Sequence, residues 1–73
     1  MQMKADKRLL LNKELYEKDI ILLAVKQYSR LAVVKINDQG IYWECKFLKC
    51  KYDAEVTIRE FENYAIDLIN VRN

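Results

Sequence analysis

The chain has 73 residues, of which 52% are apolar and 33% charged, and its net charge is only +2. This length allows one domain, and this balance of apolar and charged residues argues against a disordered chain. The sequence holds no histidine and one glycine, so the commonest general base and a glycine-rich phosphate loop are both missing.

The N-terminal part of the single domain 1–73 has two regions. Residues 1–7 are polar, and we expect them to be disordered. The segment 8–12 follows with three successive leucines, and leucine has no strong β preference. A strand and the start of a helix both fit Leu9–Leu11; we favour a strand, because Asn12 offers a stop and a third strand would stabilise a hairpin.

A helical pattern covers residues 17–30. Apolar residues recur there at spacings of three and four, at Ile20, Ile21, Ala24, Tyr28 and Leu31. Three more apolar residues widen this surface beyond one stripe: Leu22, Leu23 and Val25. A helix that is apolar over most of its circumference is predicted to be central or to lie at a dimer interface.

Two segments of alternating polarity follow, separated by the turn sequence Asn37-Asp38-Gln39-Gly40. Their apolar faces consist of Ala32, Val34 and Ile36, and of Ile41, Trp43, Cys45 and Phe47. Asn and Asp bond their own backbone, and Gly40 tolerates a positive φ. The pattern predicts a β-hairpin with one buried face.

The alternation changes phase at Phe47 and Leu48. In the second segment, odd positions are apolar from Ile41 to Phe47, and even positions are apolar from Leu48 to Val56. A phase change without a turn signal predicts a β-bulge or a sharp bend, so the strand is expected to be long and kinked.

The two cysteines are Cys45 and Cys50. On one extended strand they would point to opposite faces, so we expect free thiols and, by default, a cytoplasmic protein. Two cysteines without histidine cannot close a zinc site, and no metal or cofactor is expected. The longest apolar run, residues 20–25, is too short to cross a bilayer, and no signal peptide is visible.

The last helix has a clear local start signal. Thr57 and Glu60 fit a capping box, and Val56 and Phe61 occupy the positions of a hydrophobic staple. We therefore predict an α+β fold: a two-layer sandwich with two helices on one face of a small antiparallel sheet. The sheet contains the central hairpin and, where it forms, the N-terminal strand.

The face of the hairpin opposite Val34 and Trp43 is predicted to be uncovered. Leu31 and Glu44 are expected on it, and the candidate interaction residues are Val33, Lys35, Tyr42, Lys46, Lys49 and Lys51. A protein or peptide partner, including a second copy in a homodimer, fits this face. A single-stranded nucleic acid is the alternative, because tyrosine stacks on bases and lysines contact phosphates, although Glu44 would repel phosphates.

No catalytic residues are predicted, and we expect the chain not to be an enzyme. A cysteine activated by a neighbouring lysine is the best catalytic alternative, since an ammonium group lowers a thiol pKa. A Cys45 buried in the core is the simpler interpretation. Basic residues are in excess up to residue 52 and acidic residues from residue 53, which would steer a charged partner or self-association.

Two groups of residues suggest a family. The first helix carries Tyr16, Ile20, Ile21, Ala24 and Tyr28, and the last carries Phe61-Glu62-Asn63 with Asp67. With the short hairpin between them, the stretch Leu15 to Asp67 resembles the small D component of His-Xaa-Ser systems, the HxsD-like proteins, whose helix has the pattern F-x-N-x-x-x-D. The family's trailing arginine pattern is only partly met, by Arg72 out of register. The resemblance implies an accessory protein encoded beside radical-chemistry maturation enzymes and a repeat-bearing peptide, and it carries over no catalytic residue.

Overall fold

A computed structural model of the chain describes residues 7–72. Its elements are β1 (Lys7–Asn12), α1 (Lys18–Gln27), β2 (Ala32–Gln39), β3 (Tyr42–Cys50) and α2 (Ala54–Arg72). The strands form one antiparallel sheet in the order β1-β3-β2, so that β3 is central. The predicted α+β fold, with its N-terminal strand, is confirmed. The sequence predicts disorder for residues 1–7. Residues 1–6 lie outside the described residues, and the prediction is wrong for Lys7, which is the first residue of β1.

Strand β1 forms although its leucines do not alternate with polar residues. Pairing with β3 places Leu9 opposite Cys45 and Leu11 opposite Trp43. Leu9 and Leu11 therefore face the helices, and Leu11 is only 1% exposed. Leu10 faces the other side of the sheet and is 48% exposed.

The turn between β2 and β3 is shorter than predicted. Asp38 pairs with Trp43 and Gln39 with Tyr42, so residues 37–39 belong to β2 and the loop is Gly40-Ile41 alone. Gly40 has a φ of 70°, and no other described residue has a positive φ. A two-residue loop with a positive φ at its first position fits a type II′ turn, whose twist matches that of the flanking strands.

The predicted phase change is a β-bulge. Val33 pairs with Lys49 and Val34 with Phe47, which leaves Leu48 without a partner on β2. Leu48 and Lys49 both face away from the helices, since Cys50 returns to the helix-covered side opposite Ala32. The strand then ends at Cys50 instead of continuing to Val56.

Because of the bulge, the expected arrangement of the two cysteines on opposite faces is wrong. The extra residue puts Cys45 and Cys50 on the same face of the sheet, not on opposite faces. Both thiols are free. Their Cα atoms are separated by about 13 Å of strand, well beyond the roughly 4–7 Å that a disulfide spans.

Helix α2 begins earlier than its predicted start at Thr57. Asp53 caps it: its Oδ1 accepts the Glu55 N–H at 2.8 Å and the Val56 N–H at 3.4 Å. Thr57 lies inside the helix and donates its hydroxyl to the Asp53 carbonyl oxygen at 2.9 Å. A threonine hydroxyl bonds a carbonyl four residues earlier when it sits within a helix.

The capping box of Thr57 with Glu60 is therefore wrong, and so is the staple between Val56 and Phe61. Glu60 and Val56 are exposed, whereas Phe61 is fully buried. A carboxylate placed one residue before the helix satisfies its first free N–H groups, which removes the need for a later cap.

The core lies between the sheet and the two helices. Phe61 is at its centre. The centroid of its ring lies 5.1 Å from the ring centroid of Phe47 and 5.7 Å from that of Tyr28, and both pairs have edge-to-face geometry. The indole N–H of Trp43 donates to the Tyr16 carbonyl oxygen at 3.2 Å, which fixes the segment between β1 and α1.

Helix α1 is shorter than the predicted range 17–30, and it is not a central helix. It buries Ile20, Ile21 and Ala24, while Leu22 and Leu23 remain 49% and 47% exposed. The sequence predicts a central position or a dimer interface for this apolar surface. The central position is wrong, and the dimer interface stays a prediction. No helix within residues 7–72 combines the length and apolarity that a membrane crossing requires.

Candidate interaction face

We call the side of the sheet that the helices leave uncovered the open face. The pairing register and the bulge at Leu48 together place twelve residues on it: Arg8, Leu10, Asn12, Val33, Lys35, Asn37, Gln39, Tyr42, Glu44, Lys46, Leu48 and Lys49. Five of the six residues predicted for an interaction face are among them. The sixth, Lys51, follows the end of β3, and its backbone N–H donates to the Leu31 carbonyl oxygen at 2.7 Å. Leu31 was also expected on this face, but it lies in the turn before β2 and is half-buried.

Three cations form one line across the sheet. Lys46 on the central strand is paired with Arg8 on one side and Lys35 on the other, and we call this line the basic row. Arg8 and Lys35 are exposed and Lys46 is half-buried. Neighbouring strands lie only about 4.8 Å apart, and like charges placed opposite each other destabilise a sheet. The basic row therefore costs folding free energy and concentrates positive potential on this face.

Glu44 lies in the next line across the sheet. Its carboxylate accepts hydrogen bonds from Arg8 Nη1 at 2.7 Å and from Asn37 Nδ2 at 3.1 Å. Glu44 is only 2% exposed. The Arg8 hydrogen bond first, and the Asn37 hydrogen bond second, hold the pKa of Glu44 below its ordinary value. The repulsion of phosphates expected from Glu44 is therefore weakened, since this carboxylate is covered and already paired.

Apolar side chains are interspersed with these charges. Leu10, Val33, Tyr42 and Leu48 lie on the open face, and each of them exposes between 36% and 51% of its surface. Exposed apolar groups with a polar rim, together with arginine and tyrosine, are typical of surfaces that dock another molecule.

The residues that sequence reasoning missed are those of β1. Arg8, Leu10 and Asn12 reach the open face only because β1 pairs with β3. A run of three leucines gives no alternation from which the outward residues could be identified.

The thiol of Cys45 is arranged for packing. Cys45 is fully buried, and this burial, with a smaller effect of the Glu44 charge, raises the pKa of its thiol to about 12. A reactive cysteine needs the opposite shift, so Cys45 fits the buried-core interpretation. Within residues 7–72, no three histidine, cysteine or carboxylate side chains are grouped as metal ligands would be.

Comparison with known proteins gives no match: no protein-family model, curated protein or solved structure matches the chain. The open face is therefore interpreted from its own residues and their geometry.

Proposed function

We propose that the protein is a non-catalytic module that binds an acidic segment of a protein or peptide on its open face. The observation that carries this proposal is the basic row, flanked on the same face by half-exposed apolar side chains. Positive charge attracts and orients an acidic partner, and apolar contacts supply affinity once the water is displaced. The resemblance to the HxsD-like proteins adds an accessory role in a peptide-maturation system.

The apolar groups of the open face favour a protein partner over a nucleic acid. Leu10, Val33 and Leu48 are aliphatic, and Tyr42 is the aromatic residue among the exposed apolar groups of this face. Proteins that bind single strands stack successive bases on several aromatic rings. Aliphatic side chains spaced along a sheet suit the side chains of another polypeptide better.

A single-stranded nucleic acid is the second candidate. It is favoured because the negative charge of Glu44 is compensated: its carboxylate bonds Arg8 instead of facing the solvent, where it would repel phosphates. Lys35, Lys46, Lys49 and Lys51 would then contact phosphates, and Tyr42 would stack on a base.

The test measures the fluorescence anisotropy of two labelled probes: an octapeptide of alternating glutamate and leucine, and a thymidine oligonucleotide. The variant Lys35→Gln with Lys46→Gln removes two charges of the basic row, and Lys26→Gln, on exposed α1 surface, is the control. We expect the peptide to bind the unmodified protein, and the double variant to bind it about tenfold more weakly.

Three outcomes decide between the candidates. Peptide binding that the double variant weakens and the control does not supports the proposal. Oligonucleotide binding that is tighter than peptide binding and falls steeply with salt favours the second candidate. Peptide binding that Lys26→Gln weakens as much as the double variant contradicts a role for the open face.

We also propose that the protein forms a homodimer through α1. Two open faces would bring equal positive charges together, which opposes face-to-face pairing. Leu22 and Leu23 instead offer half-exposed apolar surface on the helix layer. Sedimentation equilibrium should show a dimer that becomes a monomer in Leu22→Gln with Leu23→Gln, whereas a strict monomer of the unmodified protein would refute this part.

A further inference from the structure

A shallow groove of ≈ 270 Å³ lies at the end of the sheet that carries the bulge. We call it the bulge groove; residues 29–33 form one wall and residues 49–51 the other. The hydrogen bond from the Lys51 N–H to the Leu31 carbonyl oxygen, 2.7 Å long, holds the two walls together. The turn before β2 is fixed as well, because the Leu31 and Ala32 N–H groups both donate to the Tyr28 carbonyl oxygen at 2.9 Å. The groove is therefore a built feature of the fold.

The bulge determines what the groove presents. Because Leu48 is the extra residue, Lys49 stays on the open face and Cys50 turns to the other side. Val33 and Lys49 belong to both the open face and the groove, so the two surfaces are continuous.

The groove combines cationic rims with apolar walls. Among the described residues that line it, Arg30, Lys49 and Lys51 are cationic and none is acidic. Its other lining residues are mostly apolar: Leu31, Ala32, Val33 and Cys50, with Ser29 at one end. Such a site is complementary to a negative group that lies directly beside an apolar group.

The size of the groove limits its occupant. Pockets that enclose cofactors or substrates usually measure about 300–1,000 Å³ and bury most of the ligand. The bulge groove is smaller and open to solvent. Its volume suits one or two side chains of a longer partner.

We propose that the bulge groove receives an apolar side chain and its neighbouring carboxylate from an extended acidic segment that continues along the open face. This inference rests on the proposed function and names the part of the partner that is recognised. A protein carboxylate is favoured over a nucleic acid because no aromatic ring lines the described groove on which a base could stack.

Cys50 offers a readout of occupancy. It is a half-buried free cysteine among the residues that line the groove, whereas Cys45 is fully buried. The experiment measures the rate of iodoacetamide alkylation at each cysteine by mass spectrometry, with and without the glutamate–leucine octapeptide. We expect the peptide to slow alkylation of Cys50 about fivefold or more, and the matching glutamine–leucine peptide to have little effect.

Variants separate this inference from the proposed function. Arg30→Gln with Lys51→Gln removes groove charges that are absent from the open-face register. Both side chains are exposed, so the fold should persist, and circular dichroism checks this. We expect this groove variant to bind the peptide about tenfold more weakly and to lose the protection of Cys50.

Each outcome decides one or both of the two proposals. If the peptide binds and the basic-row variant weakens it, but Cys50 stays unprotected, the groove inference fails and the proposed function stands. If neither double variant changes peptide binding, both fail. If inorganic phosphate or the oligonucleotide protects Cys50 and the peptide does not, the groove takes phosphates and the carboxylate assignment is overturned.

Discussion

Glu44 joins the three strands at a single side chain. It lies on central β3, and its carboxylate bonds Arg8 on β1 and Asn37 on β2. It also offsets part of the positive charge that the neighbouring basic row creates. The same carboxylate therefore supports the register of the sheet and sets the electrostatics of the open face.

We predict that Glu44→Gln lowers stability in a pH-dependent way. The pKa of Glu44 is held below its ordinary value of 4.5 in the folded state, so its contribution is complete above pH 4.5 and disappears as the pH falls through the folded pKa. Thermal unfolding at pH 7 should show a lower melting temperature for Glu44→Gln than for the unmodified protein. At pH 3 the difference should shrink.

The control for this prediction is Glu14→Gln, at an exposed position outside the strands. Its melting temperature should follow that of the unmodified protein at both pH values. A Glu44→Gln variant whose deficit is the same at pH 7 and pH 3 would show that lost packing, and not the charge, is responsible.

At the scale of elements, the hairpin and its bulge could be predicted because their signals are local. Alternation identifies the buried face, and the phase change between Phe47 and Leu48 marks the extra residue. The start of α2 could not be identified with certainty from the sequence, because two competent capping residues, Asp53 and Thr57, lie four positions apart. The presence of Glu60 favoured the wrong one.

Replacing Asp53 with alanine tests which cap operates. Asp53 accepts two N–H groups of the first turn of α2, and the loss of such a cap costs about 1 kcal/mol. The free energy of unfolding from urea titrations should fall by this amount in Asp53→Ala. Glu60→Ala, which would break the alternative capping box, should change it by less than about 0.5 kcal/mol. A larger loss in Glu60→Ala than in Asp53→Ala would restore the box.

Deleting Leu48 tests the bulge. Without Leu48, Phe47 and Cys50 still face the helices and Lys49 still faces away, because the strand regains plain alternation. We expect the deletion variant to fold, with a straighter β3 and an altered bulge groove. Deletion of Lys46 is the contrast, since it would move Cys45 or Phe47 to the wrong face and should prevent folding. Amide NMR spectra of the two variants distinguish these outcomes, and an unfolded Leu48 deletion would mean that the bend itself is required.

At the scale of the molecule, the open face gathers residues from three separate segments of the chain. Lys35, Tyr42 and Lys46 could be predicted to share a face because they belong to one hairpin. The contribution of Arg8 depends on strand order and on the register of β1 with β3, and no local pattern encodes either. Long-range pairing therefore decides whether Arg8 joins Lys35 and Lys46 in the basic row.

The stability of this small domain depends on few buried groups, and Phe61 is the strongest test. A chain of 73 residues is expected to be stable by about 4–11 kcal/mol, and removal of a buried phenylalanine ring costs about 3–5 kcal/mol. Phe61→Ala removes contacts with Phe47 and Tyr28 together, so a large part of the stability should be lost. Urea unfolding measures the loss, and Val71→Ala, at an 84% exposed position, should change it by less than about 0.5 kcal/mol.

The same variant also separates fold from binding. Phe61 lies on α2 and packs in the core, on the helix-covered side of the sheet, so Phe61→Ala should weaken peptide binding only through its unfolded fraction. A stabilising osmolyte such as trimethylamine N-oxide should restore binding in parallel with the circular dichroism signal. If binding stays weak in the refolded variant, the open face is not a rigid surface, and its affinity for a partner depends directly on packing in the core.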